Sequence, residues 1–329
     1  MGTEFVVYLP SNNGVGPADV TGGAVDIALE AMESLDGYQN RWSVFEPTSD
    51  ISRFNSAPIG SPVSVSPGTL ALVRESFELT RRTDGAFDVT AGALIDAWGF
   101  SRRQGRRPDD DDLKVAFESV GIDKVQCEDD PTSMRKLHPD VKINLGAIGK
   151  GAALDRLGRR LRNAGVDHFL IHGGASSVLA AGNRSPEVDD GWIVGISHPT
   201  VPGRTLIRVR LKDAAIGTSG SGKQFFHERG KRVGHVLDPR TGRPAGTHLA
   251  RTVLTRTATE ADAIATALFV MDDAEVDAFW KGDPQPPMAM WTVDAMNRQN
   301  EVSVSRRDAA ATYEVTEAED AVLPPTIQT

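Results

Sequence analysis

Strand-like and helical segments follow one another in an irregular order along this chain of 329 residues, and that order limits the folds it can adopt. The strand-like segments are rich in β-branched and aromatic residues, whereas the helical segments repeat apolar residues every three or four positions. The clearest strands are predicted at 3–9, 169–171, 192–196, 206–211 and 252–256. The clearest helices are predicted at 18–40, 69–83, 152–164 and 260–271. Because no regular strand–helix–strand repeat is present, the order favours an α+β fold over a parallel sheet.

The composition is that of a globular chain with material for a large core, since 40% of the residues are hydrophobic and 25% are charged. The formal net charge of -9 argues against binding to nucleic acid. A single cysteine, Cys127, excludes an intramolecular disulfide, and the three acidic residues that follow it disfavour the thiolate of a catalytic cysteine. The sequence contains no apolar run long enough to span a membrane.

A glycine, a small residue, an aromatic residue and a carboxylate follow the second long helix, in the order Gly85-Ala86-Phe87-Asp88. Glycine lets a backbone approach a ligand closely, Phe87 offers a flat apolar face, and Asp88 offers acceptors for hydroxyl or amino groups. The stretch also suits a plain turn in which Phe87 is buried and Asp88 or Thr90 caps a helix. On these residues alone the plain turn is favoured, because short motifs often match by chance.

A loop rich in glycine, 144–151, leads from a strand-like segment into the helix predicted at 152–164. Its glycines and Lys150 could direct backbone N–H groups, the positive helix end and an ammonium group at a phosphate. The spacing matches neither the Walker loop nor the dinucleotide fingerprint. A tight turn between strand and helix explains the residues equally well.

Asp262 and Thr266 are four residues apart on a predicted helix, so both lie on one of its faces. A carboxylate and a hydroxyl are oxygen donors, which suit Mg²⁺ or Ca²⁺ rather than Zn²⁺. A buried hydrogen bond between the two residues is an equally good interpretation, since an aspartate in an apolar helix needs a strong partner.

Three further stretches contain polar groups and glycines in suggestive combinations. His235 precedes the turn 238–242 and could act as a base, an acid or an anchor, although a lone histidine on a strand is more often structural. The stretch 218–222 could bind phosphate or form a flexible loop, and 173–177 is similarly ambiguous. The chain lacks the G-x-S-x-G elbow of many serine hydrolases.

Taken together and in this order, these stretches resemble the ApbE family, the FAD:protein FMN transferases. The resemblance covers most of residues 1–275 and rests on Ser49 to Asn55, Gly85 to Thr90, Asn144 to Gly151, Gly173-Gly174, Thr218 to Gly220, His235 to Gly242 and Ala261 to Leu268. It implies an α+β fold with mixed and antiparallel sheets, helices and an FAD cleft between two subdomains. Residues 1–275 would form a flavin transferase domain of two intertwined subdomains. Residues 276–329 would extend that domain and end in a mobile tail.

The resemblance also implies roles for individual residues. It places FAD against Met1, Phe45, Ala86, Phe87, Asp88, Gly146, Lys150 and Val236. Mg²⁺ would be held by Asp262, Thr266 and the backbone carbonyl of Gly149. His235 and Asp262 would be the catalytic residues, with His235 acting as a base or positioning the attacking hydroxyl.

The implied reaction is Mg²⁺-dependent flavinylation of a protein. A threonine or serine hydroxyl of an acceptor redox protein would attack the FMN phosphorus of FAD, and AMP would leave. Two alternatives share the same pocket: a protein that binds FAD without transferring it, and an FAD pyrophosphatase that yields FMN and AMP.

Two positions depart from the pattern of the family, which usually has aspartate where this chain has Asn144, and often has aspartate followed by an aromatic residue where this chain has Ser221-Gly222. Either change could weaken transfer while leaving FAD binding intact. Members of the family are typically exported and often lipid-anchored. We therefore expect an exported protein whose leader is absent from this chain, with any membrane association provided by that leader or anchor, although a cytoplasmic location is the alternative.

Overall fold

The structure is a computed structural model that describes residues 3–10, 19–102, 104–220, 225–228, 231–296, 301–309 and 315–317. Its α-helices are α1 (Asp19–Trp42), α2 (Asp50–Ser56), α3 (Pro67–Arg82), α4 (Gly92–Ala97), α5 (Asp110–Glu118), α6 (Gly149–Asn163), α7 (Ala258–Val270) and α8 (Asp273–Gly282). Single 3-10 turns span Phe100–Arg102 and Ile122–Lys124. Within these ranges, no helix is both long enough and apolar enough to cross a bilayer.

The strands are mostly short, and all of their ladders are antiparallel. They are β1 (Phe5–Tyr8), β2 (Pro62–Ser64), β3 (Val125–Asp129), β4 (Thr132–Lys136), β5 (Phe169–Gly173), β6 (Ser177–Ala181), β7 (Trp192–Ser197), β8 (Thr205–Leu211), β9 (Ala214–Gly220), β10 (Phe225–Glu228), β11 (Lys231–Gly234), β12 (Leu237–Asp238), β13 (Arg243–Pro244), β14 (Ala250–Thr255), β15 (Ala289–Ala295), β16 (Val302–Asp308) and β17 (Val315–Glu317).

A seven-stranded sheet in the order β1-β5-β6-β9-β14-β15-β16 forms the centre of the molecule. Residues along its central strands alternate between two cores, as the two-residue period of a strand requires. On β9 and β14, Ala215 and Val253 belong to the core under the helices, whereas Ile216 and Leu254 belong to the core shared with β7 and β8. The sheet therefore lies between a helical layer with α6 and α7 and a smaller sheet, β17-β8-β7. This arrangement confirms the predicted α+β class.

Two glycines allow α7 to lie unusually close to its neighbours. A Cβ atom placed on Gly217 of β9 would stand 2.3 Å from the carbonyl oxygen of Ala261. A Cβ atom on Gly151 of α6 would stand 1.9 Å from the carbonyl oxygen of Ala258. Neither approach is compatible with a side chain, so both positions need glycine for close backbone contact. The N-terminal half of α7 is thereby held against both α6 and the sheet.

Several sequence predictions need correction. Helix α6 begins at Gly149, three residues before the predicted start, so Gly149 and Lys150 lie in its first turn. The stretch predicted to bind phosphate or form a flexible loop is, as far as Gly220, the strand β9 near the centre of the main sheet.

The structure also contains elements that the sequence did not predict. Strands β15 and β16 extend the main sheet beyond β14, and α8 begins at a capping box in which Asp272 and Glu275 exchange hydrogen bonds with backbone N–H groups. These elements follow residue 271, where no motif had been found. Most of the predicted mobile tail lies outside the described residues.

Candidate functional site

A cavity of about 540 Å³ lies where β9 ends and where β6 and β14 begin. Its wall is completed by α7, the start of α6, the stretch 86–91 and the end of β7. Its lining includes ten residues named as site residues from the sequence: Phe45, Ala86, Phe87, Asp88, Gly146, Lys150, His235, Val236, Asp262 and Thr266. Gly149 is buried at the start of α6 and is not on the cavity wall, and Met1 lies outside the described residues.

The turn after α3 places Ala86 and Phe87 on the cavity wall. Helix α3 ends at Arg82 with Thr83 as its C-cap, after which Asp84 and Gly85 adopt positive φ angles of 48° and 77°. This left-handed pair reverses the chain, and glycine tolerates that conformation without strain. Ala86 and Phe87 are both buried, as the plain-turn interpretation predicted for Phe87, and the backbone N–H of Phe87 donates to the hydroxyl of Thr83. Both residues nevertheless line the cavity, so burial and contact with a ligand are compatible here.

Asp88 forms a local turn rather than a helix cap. One carboxylate oxygen accepts hydrogen bonds from the backbone N–H and the hydroxyl of Thr90, each at 2.7 Å. Helix α4 begins after Ala91 without a side-chain cap, so neither Asp88 nor Thr90 caps it. Burial raises the pKa of the Asp88 carboxyl, although the hydrogen bonds from Thr90 oppose that effect.

Asp262 carries the most densely bonded carboxylate in the cavity. Its Oδ1 accepts a hydrogen bond of 2.5 Å from the hydroxyl of Ser177. Its Oδ2 accepts the backbone N–H of Gly151 at 2.8 Å and lies 3.3 Å from the Nζ of Lys150. Only 4% of the Asp262 side chain is exposed, so these three donors replace most of its hydration.

A row of hydroxyl groups continues from Asp262 along the cavity. The hydroxyls of Thr266 and Ser219 are 3.0 Å apart, and those of Thr218 and Thr252 are 2.9 Å apart. The Thr266 hydroxyl donates to the backbone carbonyl of Asp262, one turn earlier in α7, at 3.0 Å. The hydrogen bond predicted between these two residues therefore exists, but it reaches the backbone and leaves the carboxylate to other donors.

The donors around Asp262 fit a hard divalent cation such as Mg²⁺. The oxygen atoms that these hydrogen bonds bring together belong to a carboxylate and to hydroxyl groups. The described part of the chain contains no group of three or more His, Cys, Asp or Glu side chains arranged for a metal. Mg²⁺ is commonly held by one or two carboxylates together with substrate phosphates, so one aspartate suffices when a phosphate ligand is present.

His235 lies on the cavity wall between β11 and β12. Its ring meets the ring of Phe100 edge-on, with centroids 6.4 Å apart. The turn that follows is fixed by Arg240, which donates to both carboxylate oxygens of Asp238 and also to Glu275 of α8. His235 and Val236 therefore stand on a backbone that the 238–242 turn ties to a helix.

Asn144, at the position where the resemblance implied an aspartate, is part of the cavity wall. Its side-chain oxygen accepts the backbone N–H of Gly146 at 2.8 Å and shapes the turn before α6. An aspartate could accept the same hydrogen bond, so the turn does not depend on the charge. Ser221 and Gly222, the other departure, lie outside the described residues.

Sequence reasoning did not find the contribution of β7 to this site. Six consecutive residues line the cavity, four from the end of this strand and two directly after it: Val194, Gly195, Ile196, Ser197, His198 and Pro199. The only local signal is Pro199, two residues after the strand, and a single proline there does not indicate a binding site. Ser177 lies in the stretch 173–177, whose function the sequence left open. Its hydrogen bond to Asp262 depends on the packing of β6 beside α7.

Known proteins resemble this chain over nearly its whole length. The ApbE family matches residues 1–290. A protein named FAD:protein FMN transferase from Vibrio cholerae is 31% identical over 279 residues, which cover 83% of this chain and 80% of the relative. A protein of the same name from Escherichia coli strain K12 is 32% identical over 256 residues, which cover 75% of this chain and 72% of the relative.

Solved structures agree with the sequence comparison. The flavin transferase ApbE from Vibrio cholerae superposes with a TM-score of 0.73 at 27% identity, covering 93% of this chain and 94% of that one. The ApbE protein from Thermotoga maritima gives a TM-score of 0.75 at 26% identity, covering 88% of this chain and 94% of that one. The chain belongs to the ApbE family.

Proposed function

We propose that this chain transfers the FMN part of FAD to a threonine or serine hydroxyl of an acceptor protein and releases AMP. The chain is a transferase, as its family and the curated relatives indicate. The observation that carries the finer proposal is that all six stretches singled out in the sequence, 85–88, 144–151, 173–177, 218–222, 235–242 and 262–266, contribute residues to one cavity. Its volume of about 540 Å³ lies in the range of small-molecule sites.

The start of α6 is suited to the pyrophosphate of FAD. The positive end of a helix of 15 residues opens at the cavity, and Lys150 in its first turn adds an ammonium group. Gly146 on the preceding turn also lines the wall. A phosphate bound here would meet backbone N–H groups and one positive side chain, which together offset its charge.

Asp262, Thr266 and the carbonyl of Gly149 are the residues that would hold Mg²⁺. The bound cation would supply neutralisation of the negative charge that develops on the phosphate oxygens. The buried Asp262 carboxylate is already oriented for such a partner by Ser177 and Gly151. The hydroxyl row beside it offers further oxygen atoms for a hydrated cation.

In the proposed step, the oxygen of the acceptor hydroxyl forms a bond to the FMN phosphorus. The bond between that phosphorus and the bridging oxygen breaks, and the oxygen leaves with AMP. The proton of the hydroxyl passes to a base, for which His235 is our candidate because it lines the cavity and shortly precedes the 238–242 turn. The remaining groups bind and orient FAD and the acceptor hydroxyl, and such positioning provides most of the catalysis in phosphoryl transfer.

The test is incubation of the purified chain with FAD and Mg²⁺, with and without an acceptor that contains threonine, followed by separation of FAD, FMN and AMP. AMP in equal amount to FMN fixed on the acceptor is the expected result. AMP together with free FMN would instead assign the protein as an FAD pyrophosphatase. Tight FAD binding without AMP would assign it as a binding protein, and no FAD binding would overturn the proposal.

A further inference from the structure

The side chain of Lys150 contacts Oδ2 of Asp262, the carboxylate that would hold a divalent cation under the proposed function. We propose that Lys150 blocks this cation position in the nucleotide-free protein and that the phosphates of FAD draw the ammonium group away, so that FAD and the cation favour each other's binding. The inference rests on the proposed function only for the identity of the phosphate ligand. It concerns the order and coupling of binding, not the transfer step.

One carboxylate oxygen of Asp262 has both of its acceptor directions in use. Oδ2 of Asp262 already accepts the N–H of Gly151 at 2.8 Å and the ammonium group of Lys150 at 3.3 Å. A carboxylate oxygen offers about two lone-pair directions. A cation that approaches Oδ2 must therefore displace one of these two donors.

The two donors differ in their freedom to move. The backbone of Gly151 is fixed, because α6 and α7 touch at this residue with no room for a Cβ atom. Ser177, the donor to Oδ1, is fully buried on a central strand of the sheet. Lys150 stands on a flexible four-carbon stem, its side chain is 23% exposed, and it lines the cavity. Lys150 is therefore the donor that an approaching cation would displace.

The positive charges of Lys150 and of a divalent cation strengthen their competition for Asp262. An ammonium group and a divalent cation on the same buried carboxylate repel each other, and the surroundings of Asp262 screen that repulsion poorly because the side chain is 4% exposed. A phosphate in the cavity offers Lys150 another anionic partner close to its own helix end. Coupling of this kind is reciprocal, so the cation must also tighten FAD binding by the same factor.

The experiment measures binding of Mn²⁺, as a probe for Mg²⁺, to the nucleotide-free protein by isothermal calorimetry. Lys150→Met keeps the aliphatic stem and removes the charge. If Lys150 covers Asp262 for roughly nine-tenths of the time, the variant should bind Mn²⁺ about tenfold more tightly than the wild type. Lys212→Met, which removes the same charge from the exposed ion pair with Asp189, should leave Mn²⁺ affinity unchanged.

Unchanged or weaker Mn²⁺ binding by Lys150→Met would overturn the inference, because a lysine that only binds phosphate predicts that result. If this variant fails to fold, Lys150→Gln supplies the same test with a polar side chain.

A second readout is the ratio of FAD dissociation constants without and with Mn²⁺. The inference predicts a smaller ratio in the variant than in the wild type, and an equal ratio contradicts it. Failure of flavin transfer in the acceptor assay would leave these binding results unaffected, so the two proposals can fail separately.

Discussion

The chemistry of the cavity depends most on one residue, Asp262, which its neighbours hold in a single orientation. Its carboxylate is buried on α7 and receives donors from β6 and from α6. Three separate elements therefore meet at one side chain. A change at Asp262 should affect reactivity, whereas a change at its donors should affect how well the carboxylate is positioned.

Asp262→Asn should lower flavin transfer at least about a hundredfold, the scale expected when a group that stabilises transition-state charge is removed. The amide keeps the size of the side chain but cannot provide a negative ligand to a cation. Initial rates with saturating FAD and Mg²⁺ would measure the effect, with Asp189→Asn as the exposed control. Rates within about twofold of wild type would contradict the role given to Asp262 in charge stabilisation.

Ser177→Ala should lower the transfer rate more than it weakens FAD binding, because the hydroxyl orients Asp262 without being part of the cavity lining. Leaving Oδ1 without this donor should also cost about 1–3 kcal/mol of stability. Ser76→Ala is a matched control, since Ser76 is equally buried and bonds only to a carbonyl of its own helix. The comparison needs kcat, KM for FAD and urea unfolding for both variants. An equal loss of activity in both would show a general effect of lost stability.

Asp88→Asn should stabilise the protein near neutral pH. Burial raises the pKa of Asp88 above its unfolded value, so its favourable contribution is present at low pH and is lost as the pH rises through the folded pKa. Asparagine does not ionise and keeps an oxygen that can accept from Thr90. Urea unfolding at about pH 7 and about pH 4 should show a stabilisation that shrinks at the lower pH. A variant that is less stable than wild type at the higher pH would contradict this assignment.

At the scale of elements, the site depends on how closely α7 approaches the sheet and α6. The predicted helix was confirmed, as was its burial, because an almost continuous run of small and apolar residues leaves no polar face. Its distance from β9 could not be predicted, since Gly217 directly precedes the stretch 218–222, which was interpreted as a flexible loop or a phosphate site. Only the pairing of β9 between β6 and β14 shows why that glycine is needed.

Gly217→Ala should destabilise the protein by about 1–3 kcal/mol, as overpacking of a core does, and should also lower transfer by displacing α7. The added Cβ atom would stand 2.3 Å from a backbone carbonyl oxygen that cannot rotate away. Gly23→Ala in α1 is the control, because a Cβ atom there has no neighbour within 4 Å. That control should gain about 0.5–1 kcal/mol from helix propensity. Chemical denaturation measures both, and an undiminished stability for Gly217→Ala would show that the contact is not tight.

At the scale of the whole molecule, the order of the motifs along the chain predicted the family and the fold class better than any single motif did. Residues separated by more than 200 positions, such as Phe45 and Asp262, line one cavity, as the family resemblance implied. The folding that unites them could not be derived from local patterns, because non-consecutive strands are neighbours in the main sheet. The end of β7 and the strands after α8 were missed for the same reason, since their roles arise only from tertiary pairing.

FAD and Mg²⁺ together should raise the melting temperature of the whole chain more than the sum of their separate effects. A ligand present at a hundred times its Kd stabilises the native state by about 2.7 kcal/mol, and coupled ligands lower each other's Kd. Thermal unfolding with FAD, with Mg²⁺, with both and with neither would measure this. Strictly additive shifts would show that the two ligands bind independently.

The most direct measurement is the intact mass of an acceptor protein after incubation with this chain, FAD and Mg²⁺. A parallel acceptor with valine in place of its threonine controls for non-specific attachment. Flavin transfer predicts that the threonine acceptor gains the mass of one FMN unit, with loss of water, while the valine acceptor gains none and AMP accumulates in step. An unmodified threonine acceptor beside intact FAD, or beside free FMN and AMP, would contradict the proposed transferase activity toward that hydroxyl.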